Sequence, residues 1–162
     1  MLRKRSLVMI MISVCSSVCL AQDHPNLSGT WKLNPSKSQL SEFSSSARTD
    51  VITQDGSQFT DKVTATNQMG DSSYTLTFTA DGKKVALTDA NAVNIGMLSV
   101  SDITAQWNGE QLVLNITEAI EGNPIPEKDT YELSSDGKTL TISQQSNTPM
   151  GEMDSKLSFD KQ

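Results

Sequence analysis

Residues 27–34 read Leu-Ser-Gly-Thr-Trp-Lys-Leu-Asn, and this stretch predicts the first strand of an all-β protein. The strand begins at Gly29 and carries a large aromatic side chain two residues later, at Trp31. It ends at Asn34-Pro35, because proline lacks the N–H group that continues a β-ladder. The rest of the chain is expected to form hairpins that curl round and close against this strand.

The triplet that begins at Gly29 resembles the glycine-any-tryptophan signature at the first strand of lipocalins. The run 28–38 is also similar to the start of small secreted, lipocalin-like bacterial proteins. This resemblance implies a calycin-type β-barrel in which Trp31 plugs the closed end and Gly29 lets the chain enter the strand tightly. Many lipocalins stack an arginine from the last strand on this tryptophan, whereas only Lys156 and Lys161 lie in that region here.

Alternation of apolar and polar residues predicts about ten strands in total. After the first, the predicted strands are 50–54, 58–66, 73–79, 84–88, 97–107, 111–118, 129–133, 139–146 and 152–160. Asp-Gly or Asn-Gly pairs beginning at residues 55, 81, 108 and 136 indicate tight turns between strands. Residues 89–96 and 121–127 show no such period, and the latter contain Pro124 and Pro126, so both stretches are expected to be loops.

Two irregular stretches carry specific expectations. In a strand, side chains at even and odd positions (the parity of a residue) point to opposite faces. The apolar residues up to Val100 have one parity and those from Ile103 to Trp107 have the other, so a bulge is expected near Ser101-Asp102. The serine-rich stretch 35–49 is expected to connect the first two strands. Its isolated apolar residues, Leu40 and Phe43, have the spacing of one face of a helical turn.

Successive antiparallel hairpins with one apolar face predict an antiparallel up-and-down β-barrel of about 8–10 strands. A β-sandwich is the alternative, because periodicity does not order strands in space. We expect structural roles for Gly29, Trp31 and Trp107.

The first 21 residues have the pattern of a secretory signal peptide, which leaves 22–162 as a single barrel domain. Basic residues at 3–5 precede an apolar run over 7–14, and small residues precede the expected cleavage site. The protein is therefore expected to be exported, to the periplasm or the medium. A lipid anchor on Cys19 is less favoured, because Ser16 and Val18 replace the residues that a lipoprotein signal prefers.

The charge and cysteine content limit the possible partners. Both cysteines lie in the predicted leader, so the exported domain has no disulfide and no cysteine metal site. That domain retains ten basic and nineteen acidic residues, a net charge of −9. Such a balance argues against nucleic acid and anionic membrane surfaces as partners. No transmembrane span is expected after the leader.

The sequence has no recognisable catalytic or metal-binding motif. It lacks a phosphate-binding glycine loop, a serine nucleophile elbow and paired metal ligands, and its one histidine, His24, precedes the first strand. We therefore expect no catalytic residues, no metal and no cofactor. An enzyme that uses Asp61 or Glu118 as an acid–base group is the least favoured function.

Several polar residues fall on the apolar parity of their predicted strands, namely Asp61, Glu118 and Gln144. Inward polar groups indicate a cavity, because they are costly unless paired or hydrated. Together with Tyr74, Phe78 and Tyr131 they are the predicted ligand-binding residues. In the alternative interpretation Glu118 and Gln144 face water at strand ends and Asp61 lies near a frayed rim. The sequence thus favours a barrel that binds a small apolar or amphipathic ligand, with a filled barrel for protein interaction as the alternative.

Overall fold

The structure is a computed structural model that describes residues 24–41, 44–68, 70–87, 93–95, 98–120, 122–149 and 151–162. The predicted signal peptide and Phe43 lie outside the described residues, as does most of the predicted loop 89–96. Among the described residues, no helix is long and apolar enough to cross a membrane.

The described chain is almost entirely β-structure. Its strands are β1 Gly29–Leu33, β2 Ala47–Asp55, β3 Gln58–Asn67, β4 Gly70–Thr79, β5 Lys84–Ala86, β6 Val93–Ile95, β7 Leu98–Asn108, β8 Gln111–Ile120, β9 Asn123–Leu133, β10 Thr139–Thr148 and β11 Gly151–Lys161. A single 3-10 turn, Pro35–Lys37, follows β1. Since β5 and β6 both pair with β7, the strands fill ten positions around the sheet.

The strands form an antiparallel, nearly closed barrel. Their order is β4-β3-β2-β1-β11-β10-β9-β8-β7-β5, so the first and last strands of the chain are neighbours. Trp31 lies opposite Lys161, and Leu33 lies opposite Phe159. At the two ends of this order, β4 packs beside β6 and β7, which brings the sheet round on itself. The prediction of an up-and-down barrel is therefore confirmed, and the alternative of a sandwich is wrong.

Local details agree with the sequence at the bulge and differ at the two predicted loops. The register of β7 against β8 shifts between Val100 and Asp102, where the bulge was predicted. A short strand, β6, lies within the predicted loop 89–96. β9 begins at Asn123 and includes both prolines, because pairing with β10 stops at Glu127 and the earlier residues have a neighbouring strand on one side only.

The predicted connection after β1 is described in part, since residues 42 and 43 lie outside the described residues. It begins with a helical turn at Pro35–Lys37, and Leu40 is 36% exposed. The segment is held by backbone hydrogen bonds of 2.8 Å between Gln39 and Lys156 on β11. The segment thereby pairs with β11 beyond the point where β1 ends.

Trp31 lies at the centre of the packing at one end of the barrel. Its side chain is fully buried, and the indole N–H donates a hydrogen bond of 2.9 Å to the carbonyl oxygen of Leu27. The Lys161 ammonium lies 4.9 Å from the ring centroid, so a lysine of the last strand makes the cation–aromatic contact. The four Asp-Gly or Asn-Gly turns also lie at this end, which we call the tight-turn end.

Gly29 is constrained by its backbone and by its neighbour across the sheet. Its φ is +153°, and a Cβ at this position would lie 2.9 Å from Cε of Lys161. We expect Gly29→Ala to lower the free energy of unfolding by about 1–3 kcal/mol, through backbone strain and displacement of the lysine from Trp31. Urea denaturation followed by tryptophan fluorescence measures the effect. A midpoint equal to that of the wild type would contradict this role for Gly29.

Trp107 extends the aromatic packing at the tight-turn end. Its ring is stacked on His24, with centroids 4.5 Å apart, and lies 6.1 Å from the ring of Phe59. His24 Nδ1 also lies 3.2 Å from the carbonyl oxygen of Gly109. The segment before β1 thus packs against the β7–β8 turn, and Trp107 has the structural contacts expected of a packing residue.

Candidate functional site

On several strands the inward-facing side chains change from apolar to polar with distance from the tight-turn end, while Val63, Val100 and Ile125 are buried apolar residues beside the polar ones. On β8, Ile116 is followed by Glu118, and on β10, Ile142 is followed by Gln144. We call the first group the apolar tier; it includes Trp31, Leu33, Ile52, Phe59, Phe78, Leu112, Leu114, Leu140, Ile142, Leu157 and Phe159. We call the second group the polar tier; it consists of Arg48, Asp50, Asp61, Tyr74, Glu118, Glu127, Asp129, Tyr131 and Gln144. The barrel interior is therefore amphipathic.

Arg48 and Asp50 form a buried ion pair within the polar tier. Nε and one terminal nitrogen of Arg48 each donate a hydrogen bond of 2.8 Å to a different carboxylate oxygen of Asp50. Arg48 is 8% exposed and Asp50 is fully buried. The guanidinium also lies 5.6 Å from the ring centroid of Phe159. Bidentate pairing of this kind commits the arginine charge to one partner.

Asp61 is a buried carboxyl group without a hydrogen-bond partner. It is 2% exposed, and neither of its carboxylate oxygens is hydrogen-bonded to any described residue. It lies between Ile52 of β2 and Leu76 of β4 in the two ladders. Burial raises the pKa of Asp61 to about 7, the negative charge of Asp50 adds to the rise, and Arg48 opposes it. An unpartnered buried carboxyl group is costly to the fold.

Two further carboxyl groups, Glu127 and Asp129, contact Gln144, and a third, Glu118, interacts with Asp129. The side-chain amide of Gln144 donates to Glu127 Oε1 and to Asp129 Oδ2, at 3.3 Å in both cases. Burial raises the pKa of Glu127 to about 7, and the charge of Glu118 adds to the rise. Burial likewise raises the pKa of Glu118 to about 7, and that of Asp129 well above its ordinary value. Mutual repulsion of these groups therefore adds to their desolvation.

The two tyrosines of the polar tier are neutral. Burial raises the pKa of Tyr74 to about 12 and that of Tyr131 well above 10. Tyr131 is opposite Leu112 in one ladder and Ile142 in the other, so its position borders the apolar tier. Both phenols retain their O–H groups at neutral pH and are available as donors.

The structure brings together five of the six predicted ligand-binding residues, which are Asp61, Tyr74, Glu118, Tyr131 and Gln144. The sixth, Phe78, is stacked on Phe59 at 5.2 Å within the apolar tier. Asp61 lies in the middle of β3, so the alternative of a frayed rim is wrong. Whether these residues bind a ligand stays a prediction.

Sequence reasoning missed four members of the polar tier: Arg48, Asp50, Glu127 and Asp129. Each lies at a predicted strand boundary or beyond it, because β2 and β9 begin earlier than the sequence pattern indicates. Their parity was the available signal. Arg48 and Asp50 share the parity of Ile52, while Glu127 and Asp129 share that of Tyr131.

A shallow cleft adjoins the polar tier at Gln144. Its volume is about 190 Å³, and it lies beside β10, β11 and the returning segment at Gln39. Its lining is polar and consists of Gln39, Ser143, Gln144, Gln145, Asp154, Ser155 and Lys156. In the part of the chain that the structure describes, no three histidine, cysteine or acidic side chains are arranged to hold a metal ion.

Comparison with solved structures identifies similar barrels. A secretory abundant heat soluble protein from Ramazzottius varieornatus has a TM-score of 0.58 at 10% identity, over 84% of this chain and 95% of that one. The zebrafish ileal bile acid-binding protein, in complex with cholic acid, has a TM-score of 0.52 at 14% identity, over 83% and 98%. No family model and no curated protein matches the sequence. These similarities show the fold alone, a lipocalin-like antiparallel β-barrel.

Proposed function

We propose that this barrel binds a small amphipathic molecule in its interior. The observation that carries the proposal is the two-tier interior, in which a buried polar group with an unpartnered carboxyl, Asp61, adjoins an apolar core. Binding sites of this kind combine an apolar lining with a few polar groups that orient the ligand. The similarity to a barrel that holds cholic acid supports the proposal at the level of the fold.

The ligand enters by displacing side chains of the polar tier. The cleft beside Gln144 is smaller than the roughly 300–1,000 Å³ of typical ligand pockets. Three side chains of the polar tier are only half-buried: Glu118, Glu127 and Gln144. Because they are the least enclosed, they move apart when the ligand binds. Dense packing of the apolar tier around Trp31 leaves the opposite end of the barrel as the entrance.

A filled barrel that acts through its outer surface is the second candidate function. It is favoured by the burial of the inward side chains, since residues such as Leu114, Leu140 and Ile142 are 0% exposed. An eight-to-ten-strand barrel of this type can be packed solid. The ligand experiment below separates the two candidates, because a filled barrel binds no interior probe.

Export is part of the proposed function. The basic residues at 3–5, the apolar run 7–14 and the small residues before position 22 support a cleaved signal peptide. The absence of cysteine from residues 22–162 agrees with a domain held together by its core alone. Mass determination of the protein recovered from the producing cells tests the cleavage site.

Nile red, a neutral dye that fluoresces in apolar surroundings, tests interior binding. We expect saturable binding of one dye per chain. Ser146 shares the inward parity of Gln144 and lies opposite Glu127, so Ser146→Trp should weaken binding by about tenfold or more through steric block. Asn147→Trp, on the exposed outer face of the same strand and outside the cleft lining, is the matched control and should bind like the wild type. Circular dichroism verifies that both variants are folded.

Two results would contradict interior binding. One is the lack of saturable Nile red fluorescence with the wild-type protein, which favours the filled barrel. The other is equal dye affinity of folded Ser146→Trp and folded Asn147→Trp, which places the dye outside the interior.

A further inference from the structure

The interior of the barrel has more negative than positive side chains. Arg48 is the one described cation inside the polar tier, and its charge is committed to Asp50. All described lysines are exposed, including Lys161 beside Trp31 at the tight-turn end. Four carboxyl groups therefore have no cationic partner among the described residues. They are Asp61, Glu118, Glu127 and Asp129.

Asp61 provides independent evidence that these carboxyl groups form a ligand-binding site. Its two oxygens are buried and have no hydrogen-bond donor among the described residues, unlike Asp50 and Asp129, which accept from Arg48 and Gln144. A buried carboxyl without a donor is rare in folded proteins and requires an explanation. Its electrostatic coupling to Asp50 and Asp129 shows that it faces the polar tier.

We propose that the ligand is a cationic amphiphile, whose amine or guanidinium head lies among Asp61, Glu118, Glu127 and Asp129. This inference rests on the proposed interior binding and specifies the chemical class of the ligand. The head supplies the N–H donors that Asp61 lacks and balances the surrounding carboxylates. The apolar body then packs against the apolar tier beyond Tyr131.

The same geometry disfavours an anionic amphiphile. A carboxylate head would add a like charge to four carboxyl groups and would find Arg48 already held by Asp50. Specificity arises as much from such repulsion as from attraction to the preferred ligand. The preferred head group is thus opposite in charge to the carboxylate of cholic acid, which the zebrafish barrel binds.

Three amphiphiles with the same chain and different heads test the proposal: decylamine, decanol and decanoate. Each is titrated against full-length protein loaded with Nile red, at a pH of about 7.5 and below its micelle concentration or, for decanol, its solubility limit. We expect decylamine to displace the dye at least about tenfold more tightly than decanol or decanoate, because hydrogen bonds to charged groups are stronger than neutral ones.

Variants assign the preference to the polar tier. Asp61→Asn should weaken decylamine binding by about tenfold and leave decanol within about twofold. Glu118→Gln should act in the same direction and serves if Asp61→Asn does not fold. Glu132→Gln, on the exposed outer face of β9, is the control and should leave all three affinities unchanged.

The outcomes separate this inference from the function on which it rests. Equal displacement by the three amphiphiles, tighter binding of decanoate, or no displacement by any of them would overturn the cationic preference while Nile red still reports an interior site. A selective loss with Glu132→Gln would also overturn it. Failure of Nile red itself to bind overturns both proposals.

Discussion

Replacement of Trp31 by alanine is expected to lower the free energy of unfolding by about 3–5 kcal/mol. The indole is fully buried, and its removal leaves a cavity lined by the apolar tier. It also removes the hydrogen bond to Leu27 and the contact with the Lys161 ammonium. Because Trp31 is opposite Lys161 of the last strand, the loss falls where the chain closes its barrel.

Chemical denaturation followed by circular dichroism measures this effect, since it does not depend on the fluorescence of the mutated residue. Trp107→Ala is the matched control, because it deletes the same side chain at a half-buried position. The control should be clearly less destabilised, losing mainly the stacking on His24 and the contact with Phe59. Equal stability losses in the two variants would show that Trp31 does not plug the barrel.

Stability is expected to fall as the pH rises from about 4 to about 7. The pKa values of Asp61, Glu118 and Glu127 are raised to about 7 in the folded state. Between the unfolded and folded pKa values the unfolded chain binds fewer protons, so each rise in pH favours unfolding. Above about 7 both states are ionised, and the contribution is constant. The pKa of the exposed Asp81 is lowered, so the stability that its carboxylate contributes is lost only at pH values more acidic than this range.

For Asp61 the expected loss is about 2–4 kcal/mol, since one pKa unit corresponds to about 1.4 kcal/mol and coupling to its neighbours reduces the sum. The charged and titratable groups that interact with Asp61 are Arg48 and Asp50 from β2, Tyr74 from β4, and Asp129 and Tyr131 from β9. Glu118 of β8 and Glu127 of β9 interact with Asp129.

Asp61→Asn tests this account, because asparagine has a similar shape and does not titrate. The variant should be more stable than the wild type above pH 7 and should show a flatter dependence of unfolding free energy on pH. Glu132→Gln, on the outer face, should retain the wild-type slope. A wild-type protein whose stability rises between pH 4 and pH 7 would show that the polar tier does not retain its protons. If the same Asp61 variant is more stable and binds decylamine more weakly, the Asp61 carboxyl lowers stability and serves ligand binding.

The barrel itself was predictable from local sequence, because strand parity and turn chemistry act over a few residues. Asp-Gly and Asn-Gly pairs require positive φ, and the glycines at 56, 82, 109 and 137 have it. The change of parity after Val100 required a bulge, and the register shift lies there. The prolines at 124 and 126 wrongly indicated a loop. This part of β9 tolerates proline because β10 pairs with β9 only from Glu127 onward, and the local sequence does not show where that pairing ends.

The site was predictable only in part. The parity of Asp61 and Glu118 indicated inward polar groups, because direction within a strand is a local property. Parity alone does not reveal which inward groups meet. Glu127 and Asp129 reach Gln144 through the pairing of β9 with β10, and Arg48 is held by Asp50 two residues along β2. These contacts set the charge balance that favours a cationic ligand.

The sequence by itself determined an all-β chain of hairpins with a tryptophan in its first strand, since these features follow from residue periodicity and turn geometry. Only the tertiary structure decided that Lys161 reaches Trp31, that Arg48 is neutralised, and that Asp61 is buried without a donor. The physical reason is that burial and charge depend on residues distant in the chain, which closure of the barrel brings together.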